Sequence, residues 1–108
     1  MRRRLFEFSE PPRRSTTSAL VGQSKRLRAE ARSQGGWVVT SLQIFSDGVD
    51  HMTIWLVDAQ GTASMLACSP GAADRSWIEK GVAVTADAVY VPAENLSAST
   101  WEIDRIAR

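Results

Sequence analysis

From residue 37 onward the apolar positions fall on every second residue. Trp37-Val38-Val39-Thr40-Ser41-Leu42-Gln43-Ile44-Phe45 places Val38, Thr40, Leu42 and Ile44 on one side of an extended segment and Trp37, Val39, Ser41, Gln43 and Phe45 on the other. This is the period of a β-strand, whose successive side chains point to opposite faces, and the first face is expected to look into the core. Ser46-Asp47-Gly48 follows as a turn signal, because Asp and Gly tolerate positive φ. A second strand rich in Thr, Ile, Trp and Val is predicted at 52–58. Asp58-Ala59-Gln60-Gly61 then forms a connection with glycine at the left-handed position, leading to a third strand at 62–68. The three strands make a meander.

Upstream the period changes. Leu20, Ser24, Leu27 and Ala31 step by four, three and four residues. With Ser15, Thr16 and Thr17 as N-caps and Gly35-Gly36 as a stop, this predicts a helix over 16–33. Lys25, Arg28 and Arg32 then share one helical face, with Arg26 alongside and paired to Glu30 at i, i+4. Residues 1–14 hold Pro11-Pro12 between charged groups and no sustained period, and are expected as an extended arm. Downstream, Ser69-Pro70-Gly71 breaks the chain and 72–80 has room for about two helical turns before Gly81. Val82–Thr85 and Ala88–Val91 are short β-like runs, with Pro92 interrupting the second, and Trp101–Ile106 alternates to close the chain. The predicted organisation is a flexible basic arm (1–14), a basic helix (15–36) and a small β domain (37–108), mainly β with a flanking helix.

Charge sorts the chain into two parts. Residues 1–33 carry nine basic groups (Arg2, Arg3, Arg4, Arg13, Arg14, Lys25, Arg26, Arg28, Arg32) against three acidic ones, a net of +6. Residues 34–108 carry four against nine, a net of −5, so the formal total of +1 conceals a basic segment fused to an acidic body. Clustered Arg and Lys raise a local potential suited to a polyanion, and the expected partner is nucleic acid or an acidic protein surface. A chain of 108 residues suffices for one hydrophobic core, and its 44% apolar and 23% charged residues favour folding over disorder. Cys68 is the single cysteine. This excludes an internal disulfide and a site of several thiolates, and suits a reducing compartment. Arg2–Arg4 precedes only Leu5-Phe6 before acids and prolines, unlike a secretory signal, and no run reaches membrane-spanning length. A cytoplasmic location is expected. Arg outnumbers Lys eleven to two, a bias of GC-rich bacterial and phage genomes that carries no chemistry.

Candidate chemistry is sparse. Asp47, Asp50, His51 and Asp58 are the one clustering of metal-type ligands, but a hairpin tip collects Asp and Gly for turn geometry and the spacing fits no recognised site. No metal or cofactor is expected. Any Ser-His-Asp triad must use His51, the only histidine, yet no Gly-x-Ser-x-Gly elbow is present and Cys68 lies in an apolar run without adjacent positive charge. Nor is there a Walker or Rossmann glycine loop. With no assembled base, nucleophile and oxyanion donors, a noncatalytic protein is expected. The aromatic residues carry more. Trp37 and Phe45 point away from the expected core face, where they either stack on bases, each worth about 1–3 kcal/mol, or are covered by the helix at 16–33. Trp55, Trp77 and Trp101 are expected in the core.

Three meandering strands, a short helix and a final pair of strands is the element order of the OB-fold. Trp77-Ile78-Glu79-Lys80-Gly81-Val82-Ala83-Val84 resembles the passage in which an OB-fold helix ends in a glycine and enters the fourth strand. Trp101-Glu102-Ile103-Asp104-Arg105-Ile106 is similar to the last strand of such domains. The resemblance covers 37–106 and implies a small Greek-key β-barrel that binds single-stranded nucleic acid or oligosaccharide. The expected function is noncatalytic binding of single-stranded DNA or RNA. Arg2, Arg3, Arg4, Arg13, Arg14, Lys25, Arg26, Arg28 and Arg32 would neutralise phosphates, with Trp37 and Phe45 as stacking platforms. The alternative is an assembly subunit of a phage or bacterial complex, a homo-oligomer in which the arm of one copy lies on the acidic body of the next.

Overall fold

The computed structural model of the chain describes residues 14–33, 36–46, 48–69, 75–78 and 80–108, with the backbone alone at 26–33 and 75. Strand β1 (Arg14–Thr16) leads into helix α1 (Thr17–Gln23). Strands β2 (Arg26–Ser33), β3 (Gly36–Ile44), β4 (Asp50–Val57) and β5 (Thr62–Cys68) follow. They form one antiparallel sheet in the order β1-β5-β4-β3-β2. The second sheet holds β6 (Arg75–Trp77), β7 (Ala83–Val84), β8 (Ala88–Asn95) and β9 (Thr100–Ala107). Its order is β9-β8-β6, with β7 also pairing β8 on the edge that β6 uses.

Residues directly opposed in an antiparallel ladder share a face. Val38 with Leu56, Thr40 with Ile54 and Leu42 with Met52 therefore face one way, and Val39 with Trp55, and Trp55 with Met65, face the other. The first face packs Val38, Met52 and Ile54 on Val89, Val91, Trp77 and Ile106 of the second sheet. The opposite face buries Val39, Trp55, Val57 and Ala63 beneath Leu20 of α1. Both sides of the first sheet are thus covered, which is why Val38, Val39, Thr40 and Ser41 are buried in succession. Full burial of side chains such as Ile54 contributes about 1.5–3 kcal/mol each.

The turns follow their sequence signals. Gly48 (φ 76°) donates to the Phe45 carbonyl at 2.9 Å, and Gly61 (φ 84°) donates to the Asp58 carbonyl at 3.0 Å. Asp58 Oδ1 accepts from the backbone N–H of Gln60 at 3.0 Å and of Thr62 at 2.9 Å, the side chain standing in for backbone in the turn. Thr16 caps α1, its hydroxyl accepting from Ala19 N–H at 3.1 Å.

Residues 16–33 are not one helix. Gly22 is a poor helix former, and Ser24 leaves helical geometry (φ −94°, ψ 131°), its Oγ bonded at 2.5 Å both to the Leu20 carbonyl and to Ser41 Oγ. A serine hydroxyl that bonds the preceding turn competes with helix continuation. Beyond it, Arg26-Leu27-Arg28-Ala29-Glu30-Ala31-Arg32 alternates charged and apolar residues, and as β2 it satisfies the edge of β3, with a register shift between Ala29 and Ala31. Residues 26–33 consequently belong to the same sheet as the strands at 36–68.

The second sheet corrects three further expectations. Arg75–Trp77 is strand, not the middle of a helix at 72–80; residues 70–74 and 79 lie outside the described residues, as do residues 1–13 of the arm expected at 1–14, whose last residue, Arg14, begins β1. Pro92 does not interrupt its strand. Its carbonyl accepts from Ile78 N–H at 2.9 Å, and N and O of one strand residue point to the same side, so the missing N–H falls between the stretches of β8 paired by β6 and by β7. Trp101, expected in the core, is 67% exposed. On β9 the inward residues are Glu102, Asp104 and Ile106, opposite Ala93, Val91 and Val89. The two acids are tolerated there because Trp77 Nε1 donates to Asp104 Oδ2 at 2.8 Å and Asn95 Nδ2 to Glu102 Oε2 at 3.3 Å. The architecture is mainly β with one short helix, and the ladders do not close the two sheets into a barrel.

Candidate functional site

The α1 side of the first sheet carries a buried polar row. Gln43, Ser41 and Thr53 are all buried, and such groups need partners. Trp55 Nε1 donates to Thr53 Oγ1 at 2.8 Å, and Thr53 Oγ1 donates either to the Ser41 carbonyl at 3.0 Å or to Gln43 Oε1 at 3.1 Å. Gln43 Nε2 reaches Gln23 Oε1 of α1 at 3.5 Å. The row bonds internally, which identifies it as the seam that holds α1 on the sheet.

Beside this seam lie the two residues best suited to nucleophilic chemistry. His51 is 5% exposed, and Phe45 stacks on its ring with centroids 4.1 Å apart and planes inclined by 13°. His51 Nδ1 is 3.0 Å from the Ser69 carbonyl and 3.7 Å from Cys68 Sγ, which itself approaches that carbonyl at 3.3 Å. A carbonyl only accepts, so Nδ1 carries the hydrogen in this contact and has no lone pair to take the thiol proton. Phe45, expected as a stacking platform, is instead buried on His51. Sequence reasoning did not join Cys68 to His51; they meet across the β4–β5 ladder, whose register is not written in either residue.

The acidic cluster is not assembled. Asp50 holds Lys25 Nζ with both carboxylate oxygens at 3.1 Å, while Asp58 stands beyond the far end of β4, about 26 Å away at 3.3 Å per residue. Asp47 lies outside the described residues. Among the described residues no group of three or more His, Cys, Asp or Glu side chains is placed to hold a metal ion.

What the fold does bring together is a cleft at one end of the first sheet. It has a volume of about 210 Å³ and is lined by Gly36, Trp37, Leu56, Val57, Asp58, Thr62, Ser64 and Arg108. This is below the roughly 300–1,000 Å³ of small-molecule sites, and leaves room for one planar group. Trp37 is 46% exposed, between the buried Gly36 and Val38. Arg32 is opposite Trp37 on the β2 side, and Arg14, itself exposed, is opposite the cleft residue Ser64 on the β1 side. Arg108 is fixed against the second sheet: its N–H donates to the Asp87 carbonyl at 2.9 Å and its Nη1 to the Thr85 carbonyl at 2.7 Å. Arg14 shares the face of Ser64 and Leu56, opposite to that of Trp37, so it is the Trp37–Arg32 register pair, with Arg108 at the cleft, that can stack a flat ring and neutralise an attached anion.

Of the other basic residues singled out in the sequence, Arg26 and Arg28 follow along the same edge strand, opposite Leu42 and Thr40. Lys25 is engaged by Asp50, and Arg2, Arg3, Arg4 and Arg13 lie outside the described residues. Arg108 was missed by sequence reasoning, standing apart from every basic run. No protein-family model, curated protein or solved structure matches the chain. No helix among the described residues is long and apolar enough to cross a membrane.

Proposed function

We propose that the protein is a noncatalytic binding module for single-stranded nucleic acid, with a base stacked on Trp37 and the phosphates held by the basic groups of residues 1–33 together with Arg108. The observation that carries this reading is the half-exposed Trp37 in a cleft lined by Arg108, with Arg32 at the register position opposite Trp37. Stacking on an aromatic face is tolerant of sequence, and arginine neutralises phosphate with release of counterions. A duplex keeps its bases paired and stacked, so a cleft with room for one ring favours the single strand. The net charge of −5 over residues 34–108, with Asp58 in the cleft wall, confines the path of the strand to this end and to β2.

The test is a titration of the full chain with labelled single- and double-stranded DNA and RNA of one length. Single strands should bind more tightly, and Trp37→Ala should weaken that binding about 5- to 150-fold, the equivalent of the 1–3 kcal/mol of one stacked base. Equal affinity for duplex, or a Trp37→Ala variant that binds like the parent, would exclude the proposal.

A further inference from the structure

Strand β9 runs against the usual rule over its first half, turning Trp101 and Ile103 to solvent and two acids inward. Ile103 and Trp101 are 71% and 67% exposed, the highest values among the exposed large apolar residues described. They are two residues apart on the outer face of the second sheet, opposite Pro92 and Glu94 of β8. Arg105 continues the row, opposite Tyr90, and Ala83 of β7 flanks Tyr90 from the other edge. Contiguous exposed apolar residues on a monomer mark a surface that meets another molecule, and a strand whose inside-out pattern breaks the local rule is the kind of exception found at functional sites.

We infer that this outer face is the interface of a symmetric homodimer. The occupant is specified by the face's own complementarity. Its rows, read across β9 and β8, are Trp101–Glu94, Ile103–Pro92 and Arg105–Tyr90. A two-fold axis lying between two such faces, perpendicular to the strands and passing through the middle row, exchanges the outer rows. Ile103 then meets Ile103 of the second copy, Trp101 meets its Arg105, and Glu94 meets its Tyr90. Each meeting is favourable: apolar on apolar at the axis, guanidinium on indole, phenol hydroxyl on carboxylate. The same residues serve twice, as a two-fold interface requires. Arg105 has no strong competing tie, since its contact with Asp87 is 3.8 Å long with both side chains at least half exposed. The alternative axis, parallel to the strands, would place Trp101 against Glu94, Arg105 against Tyr90 and Ile103 against Pro92, and would forfeit the Ile103 self-contact at the axis. The inference is independent of nucleic-acid binding, because Trp101, Ile103 and Arg105 are not among the residues that line the Trp37 cleft.

Sedimentation of the full chain over a range of concentrations should show a monomer–dimer equilibrium. Ile103→Lys sets two like charges at the axis and should give monomer alone, with an unchanged circular dichroism spectrum because the site is exposed. In a Cys68→Ser background, Ile103→Cys should be joined to its copy by a short bismaleimide, whereas Val21→Cys, exposed on α1, should not. A chain that is monomeric at every concentration, a dimer that survives Ile103→Lys, or equal cross-linking of the two cysteine variants would each overturn the inference. Nucleic-acid affinity of Ile103→Lys, measured alongside, separates this surface from the Trp37 cleft.

Discussion

Replacing Gly36 by alanine sets two opposite effects against each other. Glycine to alanine at an unstrained site stabilises a protein by about 0.4–1 kcal/mol, because the unfolded chain loses freedom. Gly36 has the backbone room for no such gain. A methyl built on it would lie 2.2 Å from the Val57 carbonyl oxygen and 3.2 Å from its carbon. Carbon–oxygen contacts settle at about 3.3–3.6 Å, so β3 and β4 would have to part by about 1.1 Å. The obstacle is backbone in the Trp37–Val57 ladder and cannot rotate aside. Overpacking of this kind costs about 1–3 kcal/mol, or roughly 4–24 °C in Tm at 4–8 °C per kcal/mol for a domain of this size. Gly22 lies in α1 with nothing within 4 Å of the place a Cβ would take, and is the control: Gly22→Ala should raise stability by up to about 1 kcal/mol. Thermal unfolding followed by circular dichroism reads both. A Gly36→Ala variant as stable as the parent would refute the close approach of β3 to the Val57 carbonyl.

Three further perturbations probe the seam, the core and a turn. Thr53→Val keeps the shape but removes the acceptor of the Trp55 indole N–H, and should cost about 1–3 kcal/mol in urea unfolding, with Thr53→Ser restoring most of it; a stabilised valine variant would dissolve the seam argument. Ile54→Ala, at a fully buried site between the sheets, should cost about 2–5 kcal/mol, and a loss below about 1 kcal/mol would mean the sheets are not packed there. Asp58→Ala removes the acceptor of two backbone N–H groups and should cost about 1 kcal/mol, whereas Asp58→Asn, which keeps an oxygen, should cost less.

The meander at 36–68 was legible because its alternation, its turn residues and its tertiary setting agree. The segment at 26–33 was not. Leu20, Ser24, Leu27 and Ala31 satisfy a helical spacing while Leu27, Ala29 and Ala31 also alternate with charges, and local pattern alone does not choose between them. The open edge of β3 does, by offering ladder bonds that a helix would leave unmade. β9 misled for a related reason. Its alternation named the period correctly and the inward face wrongly, since two acids are the inward set only when Trp77, 27 residues away, and Asn95, across the hairpin, supply donors. At the site, alternation placed Trp37 away from the inter-sheet core, as observed. The same argument put Phe45 on that side too but could not give its exposure, because His51 across the hairpin buries it by stacking. Arg108 joined the cleft through carbonyls of Thr85 and Asp87, contacts with no signature in composition or spacing.

Salt dependence of binding tests the functional reading most directly, because it separates phosphates from bases. For single strands the slope of log affinity against log salt is about −0.7 per phosphate neutralised. Measured on the full chain with one single-stranded oligonucleotide, the combined Arg26→Ala, Arg28→Ala and Arg32→Ala variant should flatten that slope by about 2, while Trp37→Ala lowers affinity at every salt concentration and leaves the slope as it is. A parent chain whose affinity does not change with salt, or a Trp37→Ala variant whose slope falls as far as that of the arginine variant, would contradict the account.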